Sequence, residues 1–193
     1  MKSKVLACFL LGLTVFVSCK TGRQVKLTNE GLMYAMIYDF DNTPVSGVAV
    51  YINGRKHVDS DIQGRFILDM VKTGEYKIRL TKKGYETLEE PFYFDPFQVL
   101  YFKMINTSQL VALAETALDS AEFTIAENYI NRALLLEPNR PDVLFLKSVA
   151  FYLQAKNKEA EEILENLLKS GNNEPSISRL LEIIRQKQQV TEE

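Results

Sequence analysis

Cysteine and histidine are nearly missing from this chain, and their scarcity removes whole classes of chemistry. Its 193 residues include two cysteines, Cys8 and Cys19, and one histidine, His57. Zinc sites draw on several His and Cys ligands, so a cluster of that kind cannot be assembled. A Ser-His or Cys-His hydrolase needs its histidine between a nucleophile and an orienting acid. His57 instead stands in a turn-rich Arg-Lys-His segment, where an exposed loop residue is expected. Phosphate-binding G-x-x-x-x-G-K-[ST] and dinucleotide-binding G-x-G-x-x-G runs are missing too. Acid pairs such as Glu89-Glu90 and Glu161-Glu162 read as surface charges without acid–base spacing. No enzyme activity, cofactor or metal is expected. A net charge of −2, with no basic run longer than Lys82-Lys83, argues against nucleic acid as a partner.

What is present begins with a leader. Lys2 and Lys4 precede an apolar run from Val5 to Val17, 13 residues long. A lasting transmembrane helix needs about 20 residues, whereas a signal-peptide core is shorter. The run closes on Phe16-Val17-Ser18-Cys19, which resembles a bacterial lipobox with Phe16 where Leu is usual. That resemblance implies a signal peptide over 1–18 and acylation of Cys19. It would also account for an otherwise stray thiol in an exported chain. Buried acyl CH₂ groups contribute about 0.8 kcal/mol each to anchoring. Residues 19–30 then read as a lipidated polar tether, on a protein of the bacterial cell envelope held at a membrane.

Residues 31–104 hold most of the glycines and aromatics, as strand-length runs broken by turn signals. Expected strands are Leu32–Tyr38, Ala49–Ile52, Arg65–Leu68, Tyr76–Leu80, Thr87–Phe94 and Val99–Lys103. Asn53-Gly54 suits a hairpin turn. Asp59-Ser60-Asp61-Ile62-Gln63-Gly64 looks superficially like a calcium loop. The twelfth position, which should be a bidentate Glu, is Met70. A β-turn is expected instead, with Gly64 at positive φ and Asp61 bonding turn amides. The aromatic group Phe92, Tyr93, Phe94, Phe97, Tyr101 and Phe102 is expected to be core at alternate positions. The runs Thr43-Pro44-Val45-Ser46-Gly47, Asp61-Ile62-Gln63-Gly64-Arg65-Phe66 and Gly74-Glu75-Tyr76 through Gly84-Tyr85 resemble the carboxypeptidase regulatory-like domain. The last of these is also similar to the PEGA domain. The resemblance implies a transthyretin-like β-sandwich acting as a non-catalytic accessory module.

From Thr107 to Glu174 one pattern occurs twice, shifted by 34 residues. Ala126 returns as Ala160, Ile130 as Leu164, Ala133 as Leu167 and Leu110 as Leu144. A helix A face of Leu110, Leu113, Ala114 and Ala117 is followed by a helix B face of Ala126, Ile130 and Ala133. Pro138 stops the first unit, since proline cannot continue a helix. A period of this size points to a solenoid of helical pairs. Ala114, Phe123, Ala126, Ala133 and Pro138 resemble the tetratricopeptide repeat, with departures at Lys147 and Asn172 in the second copy. Residues 105–174 are thus expected to form two repeats, and 175–193 a capping helix and tail. The fold class expected is α+β in two domains, an all-β sandwich followed by an all-α array. With only Ile105-Asn106 between the halves, their orientation should be fixed.

The resemblance also implies a concave groove lined by helix A. The matching positions are Ser108, Val111, Glu115, Leu118 and Asp119, then Asp142, Phe145, Val149, Tyr152 and Leu153. Val111, Glu115, Leu118, Phe145, Val149 and Tyr152 are its candidate partner-binding residues. The helical half carries 9 Lys+Arg against 14 Asp+Glu, a mildly acidic solvated surface. The function expected is a membrane-tethered adaptor for an envelope protein, with the sandwich as spacer. The alternative is a glycan- or peptidoglycan-binding lipoprotein that uses the sandwich, which would need exposed aromatics there.

Overall fold

The computed structural model describes residues 29–192. The expected leader, Cys8 and Cys19, and the expected tether up to residue 28 lie outside the described residues. Seven strands come first and five helices follow, an α+β chain in two parts.

The strands are β1 (Glu30–Asp39), β2 (Ala49–Ile52), β3 (Arg55–Asp59), β4 (Arg65–Lys72), β5 (Gly74–Thr81), β6 (Leu88–Phe94) and β7 (Val99–Met104). They form two facing sheets, ordered β4-β1-β7 and β3-β2-β5-β6. β7 runs parallel to β1, with Tyr34 opposite Val99 and Asp39 opposite Met104; the other pairs are antiparallel. Alternation decides the faces. Met33, Ala35 and Ile37 of β1 point inward with Ile78, Leu80, Phe94 and Phe102, and all are buried. Each fully buried Ile, Leu, Met or Phe side chain among them contributes about 1.5–3 kcal/mol over an exposed one.

β3 is a strand that the sequence pattern does not announce. Its residues, RKHVD, lack alternation because it is the charged edge of its sheet, where cations discourage further strand pairing. His57 is therefore an exposed strand residue and not a loop residue. Pro91 sits on the opposite edge strand, β6, where a missing N–H is tolerated.

The helices are α1 (Thr107–Asp119), α2 (Phe123–Leu136), α3 (Pro141–Leu153), α4 (Asn157–Lys169) and α5 (Pro175–Glu192). The starts of α1, α3 and α5 fall 34 residues apart, as do those of α2 and α4. Pro141 and Pro175 occupy the first helical turn, where their lack of an N–H costs nothing. Asn106 caps α1 through a capping box with Gln109. Small residues let the helices close up: Ala114, Ala126, Ala133, Ser148 and Ala160 are fully buried. The α1–α2 and α3–α4 turns repeat in detail, with Ala121 at φ 57° and Ala155 at φ 60°. Two inner clusters result, one around Leu110, Ile130 and Val143, the other around Leu164, Ile177 and Ile184.

The halves meet through specific polar contacts. Glu86 N donates to Ile105 O (2.9 Å) and Thr107 N to Gly84 O (3.1 Å). Arg132 on α2 makes two hydrogen bonds of 2.7 Å to the Glu86 carboxylate. Gln109 on α1 donates to Asp41 at 2.6 Å. Thr107 Oγ1, 3.4 Å from Gly84 O, also donates to Glu137 at 2.7 Å and so ties this junction to the end of α2. With so many anchors and no slack residues, the short connection holds one orientation.

Candidate functional site

Helix A faces recur along the array because α1, α3 and α5 start in register. Ser108 and Ser176 are therefore the counterparts of Asp142. Two clefts open beside these positions. The first, about 440 Å³, lies between α1 and the β1–β2 connection and is lined by Phe40, Asp41, Ser108, Ala112, Leu113 and Thr116. The second, about 490 Å³, lies between the starts of α3 and α5. Arg140, Asp142, Phe145, Asn172, Ser176 and Ile177 contribute to it. Arg140 stands between the clefts. Its guanidinium bonds Asp142 at 2.9 and 3.1 Å and Ser108 Oγ at 3.1 Å, with Glu137 3.5 Å away. Asp142 raises the Arg140 pKa above its ordinary value, so the charge is permanent but already matched by acids. The floor is apolar and its cation is matched: this geometry suits a neutral or apolar segment better than a carboxylate.

The six groove residues expected from the sequence are not equally available. Glu115 is exposed, and Val111, Phe145, Val149 and Tyr152 are half-buried. Leu118 is 8% exposed and belongs to the core of the first helical pair, so it does not line a groove. Phe145 and Tyr152 pack into the cluster that α4 and α5 share. Lys187 of α5 lies 5.3 Å from the Tyr152 ring centroid, which closes that end further. The fifth helix therefore covers part of the second unit's face. The first cleft also holds two exposed apolar residues that the repeat pattern does not place there. Phe40 is 55% exposed and Leu113 38%, although the helical spacing puts Leu113 on the buried face. The incomplete burial at Leu113 explains why its counterpart can be Lys147, whose amine rests 5.8 Å from the Phe151 ring.

The other expected features fall into place on the sandwich. Asp61 Oδ1 accepts from Gln63 N (2.8 Å) and Arg65 N (2.9 Å), and Gly64 has φ 73°. The segment is a turn, and Asp61 is engaged by its own backbone and by the Arg65 guanidinium. Among the described residues no group of three or more His, Cys, Asp or Glu could hold a metal ion. The aromatic group divides by alternation. Phe94 and Phe102 are buried and Phe92 half-buried, while Tyr93, Phe97 and Tyr101 are exposed. Tyr101 stacks on Tyr38 with centroids 6.5 Å apart. Among the described residues no helix is long and apolar enough to cross a membrane.

No family model matches the chain, and no curated protein matches it. Solved structures that resemble it include the Streptococcal ancillary pilin, with a TM-score of 0.34 and 22% identity. That match covers 40% of this chain and 29% of the pilin. BcpA, the major pilin subunit of Bacillus cereus, gives a TM-score of 0.33 and 16% identity over 40% of this chain and 28% of its own. The 3-chlorocatechol 1,2-dioxygenase from Rhodococcus opacus 1CP gives 0.31 and 13% identity, over 43% of this chain and 61% of its own. The chain thus spans less than a third of either pilin. Likeness this slight says nothing of what the chain binds or where it resides.

Proposed function

We propose that this chain is an envelope lipoprotein acting as a non-catalytic adaptor, with tetratricopeptide-type repeats that hold a segment of a partner protein. The observation that carries this reading is the 34-residue recurrence of helix starts, with one apolar cleft along α1 and another between the starts of α3 and α5. Repeating helical pairs present a continuous surface that one pair alone cannot. Short peptides dock in such grooves through a few apolar anchors. Phe40 and Leu113 are the anchors for the first cleft, and Phe145 for the second.

The sandwich is a spacer in this reading. β1 enters at one pole and ends beside Met104, next to the helices, at the other. Ten strand residues at about 3.3 Å each set the helices roughly 30 Å beyond the pole where the chain leaves toward Cys19. Acylated Cys19 would supply the anchor, and the carboxypeptidase regulatory-like resemblance agrees with an accessory module. The test is a crosslinking pull-down from native membranes, comparing the full chain with Phe40→Ser and Leu113→Ser. Both residues are exposed, so the fold should survive. The loss of a defined partner from the variants supports the groove.

A glycan-binding sandwich is kept as the second reading on one observation, the exposed Tyr101 ring stacked on Tyr38. Sedimentation with peptidoglycan, with Tyr101→Ala as control, separates it. Binding lost with Tyr101→Ala and kept with Phe40→Ser would favour the sandwich.

A further inference from the structure

One pole of the sandwich is apolar beyond what an ordinary surface needs. Phe97 is 88% exposed, Met70 75%, Tyr93 57%, Leu32 49% and Val99 45%. The registers gather them at the end where β1 begins. Gly31 stands opposite Val71, Tyr34 opposite Val99, and Glu75 opposite Tyr93. Thr73 N donates to Asn29 O at 2.7 Å, tying the β4–β5 turn to the incoming chain. Gly31 lies so close to Pro96 that an added Cβ would come within 2.5 Å of that ring. This brings the Phe97 turn to the same end.

Backbone geometry holds two of these side chains out. Asp95 fixes the turn beneath Phe97, accepting from Phe97 N on Oδ1 and from Gln98 N on its carbonyl, both at 3.0 Å. Met70 sits at φ 55°, where β4 takes three residues to the two that β1 takes between Gly31 and Met33. Bulges of this kind re-aim side chains. A non-glycine residue in this region is itself unfavourable.

The occupant is indicated by where the chain goes. Asn29 is ten residues from Cys19, so this pole starts no more than about 35 Å from that residue. The helices occupy the other pole. We propose that the apolar pole docks on the bilayer interface, with Phe97 and Met70 entering the boundary between headgroups and acyl chains. Tyr93, Leu32 and Val99 surround them. This rests on the reading of Cys19 as a lipid anchor. Aromatic side chains favour that depth, and a second apolar contact reinforces a lipid anchor. Lys72 is paired with Glu30, and Asp69 and Glu75 flank the site. Docking is therefore apolar and does not need anionic lipid.

The chain contains no tryptophan, so Phe97→Trp introduces a single fluorescent reporter. Ile62→Trp is a matched control, since Ile62 is also 88% exposed but precedes β4 at the opposite pole. The full-length proteins, made in bacterial membranes, are reconstituted in phosphatidylcholine vesicles, and Cys19 is checked by mass spectrometry. Docking predicts that the indole emission of F97W shifts to shorter wavelength and is quenched by brominated lipid, while that of I62W does neither. An acylated Cys19 with F97W behaving like I62W would overturn the docking and leave the anchor standing. An unacylated Cys19 would overturn both. An F97W shift that needs added envelope protein, and is not seen with lipid alone, would assign the pole to a protein and also overturn the proposal.

Discussion

Arg132 on α2 grips Glu86 in the β5–β6 connection through a two-pronged contact, with both N–H···O distances at 2.7 Å. The pair is about two-thirds buried on both sides and spans the junction of the two halves. Glu86 raises the Arg132 pKa above its ordinary value, chiefly through these hydrogen bonds. Glu86 N also bonds Ile105 O, so the same residue ties backbone and side chain across the junction.

A double-mutant cycle on Arg132→Ala and Glu86→Ala should return a coupling of about 1 kcal/mol, after allowing for solvent screening. It is read from chemical denaturation. The single variants should also make the halves melt less cooperatively. A coupling near zero would make the contact incidental to the fixed orientation.

Ala121 and Ala155 hold left-handed backbone at equivalent turns, where Cβ costs about 1–2 kcal/mol. Glycine removes that cost but adds about 0.5–1 kcal/mol of chain entropy. Ala121→Gly and Ala155→Gly should therefore each stabilise the fold by about 0.5–1 kcal/mol, seen as a higher melting temperature. Opposite signs at the two sites would show that the turns are not equivalent.

The Asp61 turn should leave a signature in acid. The Arg65 N–H, followed by the Gln63 N–H and the Arg65 guanidinium, holds the Asp61 carboxyl below its ordinary range. A depressed folded value means the stabilisation is complete above the unfolded pKa, about 3.9. It is lost as pH falls through the lower folded value. Asp61→Asn should thus flatten the fall of stability with pH in that window and change its slope little near neutrality. In the same turn, Gly64→Ala would place Cβ 2.4 Å from Ile37 O at φ 73°. It should destabilise by more than about 2 kcal/mol.

Much of this architecture can be read from residues whose placement has few alternatives. Pro138, Pro141 and Pro175 punctuate the helices, and Ala126, Ala133 and Ala160 mark their close approaches; all three alanines are fully buried. Six of the seven strands show themselves by alternation or by bounding turns. β3 does not, because an edge strand shows solvent its charges and has no need of an apolar face. The site is less legible. Leu118 and Leu113 differ by five positions on one helix; spacing puts Leu113 inside and the repeat resemblance puts Leu118 in the groove, and the structure reverses both. Phe40 enters the first cleft only through the docking of sandwich on helix, set by contacts such as Gln109 to Asp41. Those are pairings between residues 68 apart, which no local pattern encodes.

The adaptor reading is tested most directly by one comparison of captured partners. Full-length protein, Phe40→Ser and Leu113→Ser are crosslinked in native membranes, after matched thermal melts show that all three are folded. The adaptor reading predicts one defined protein held by the wild type and lost, or reduced at least about tenfold, in both variants, equivalent to about 1.4 kcal/mol of binding. An unchanged partner in folded variants would contradict it and leave the groove as part of the scaffold.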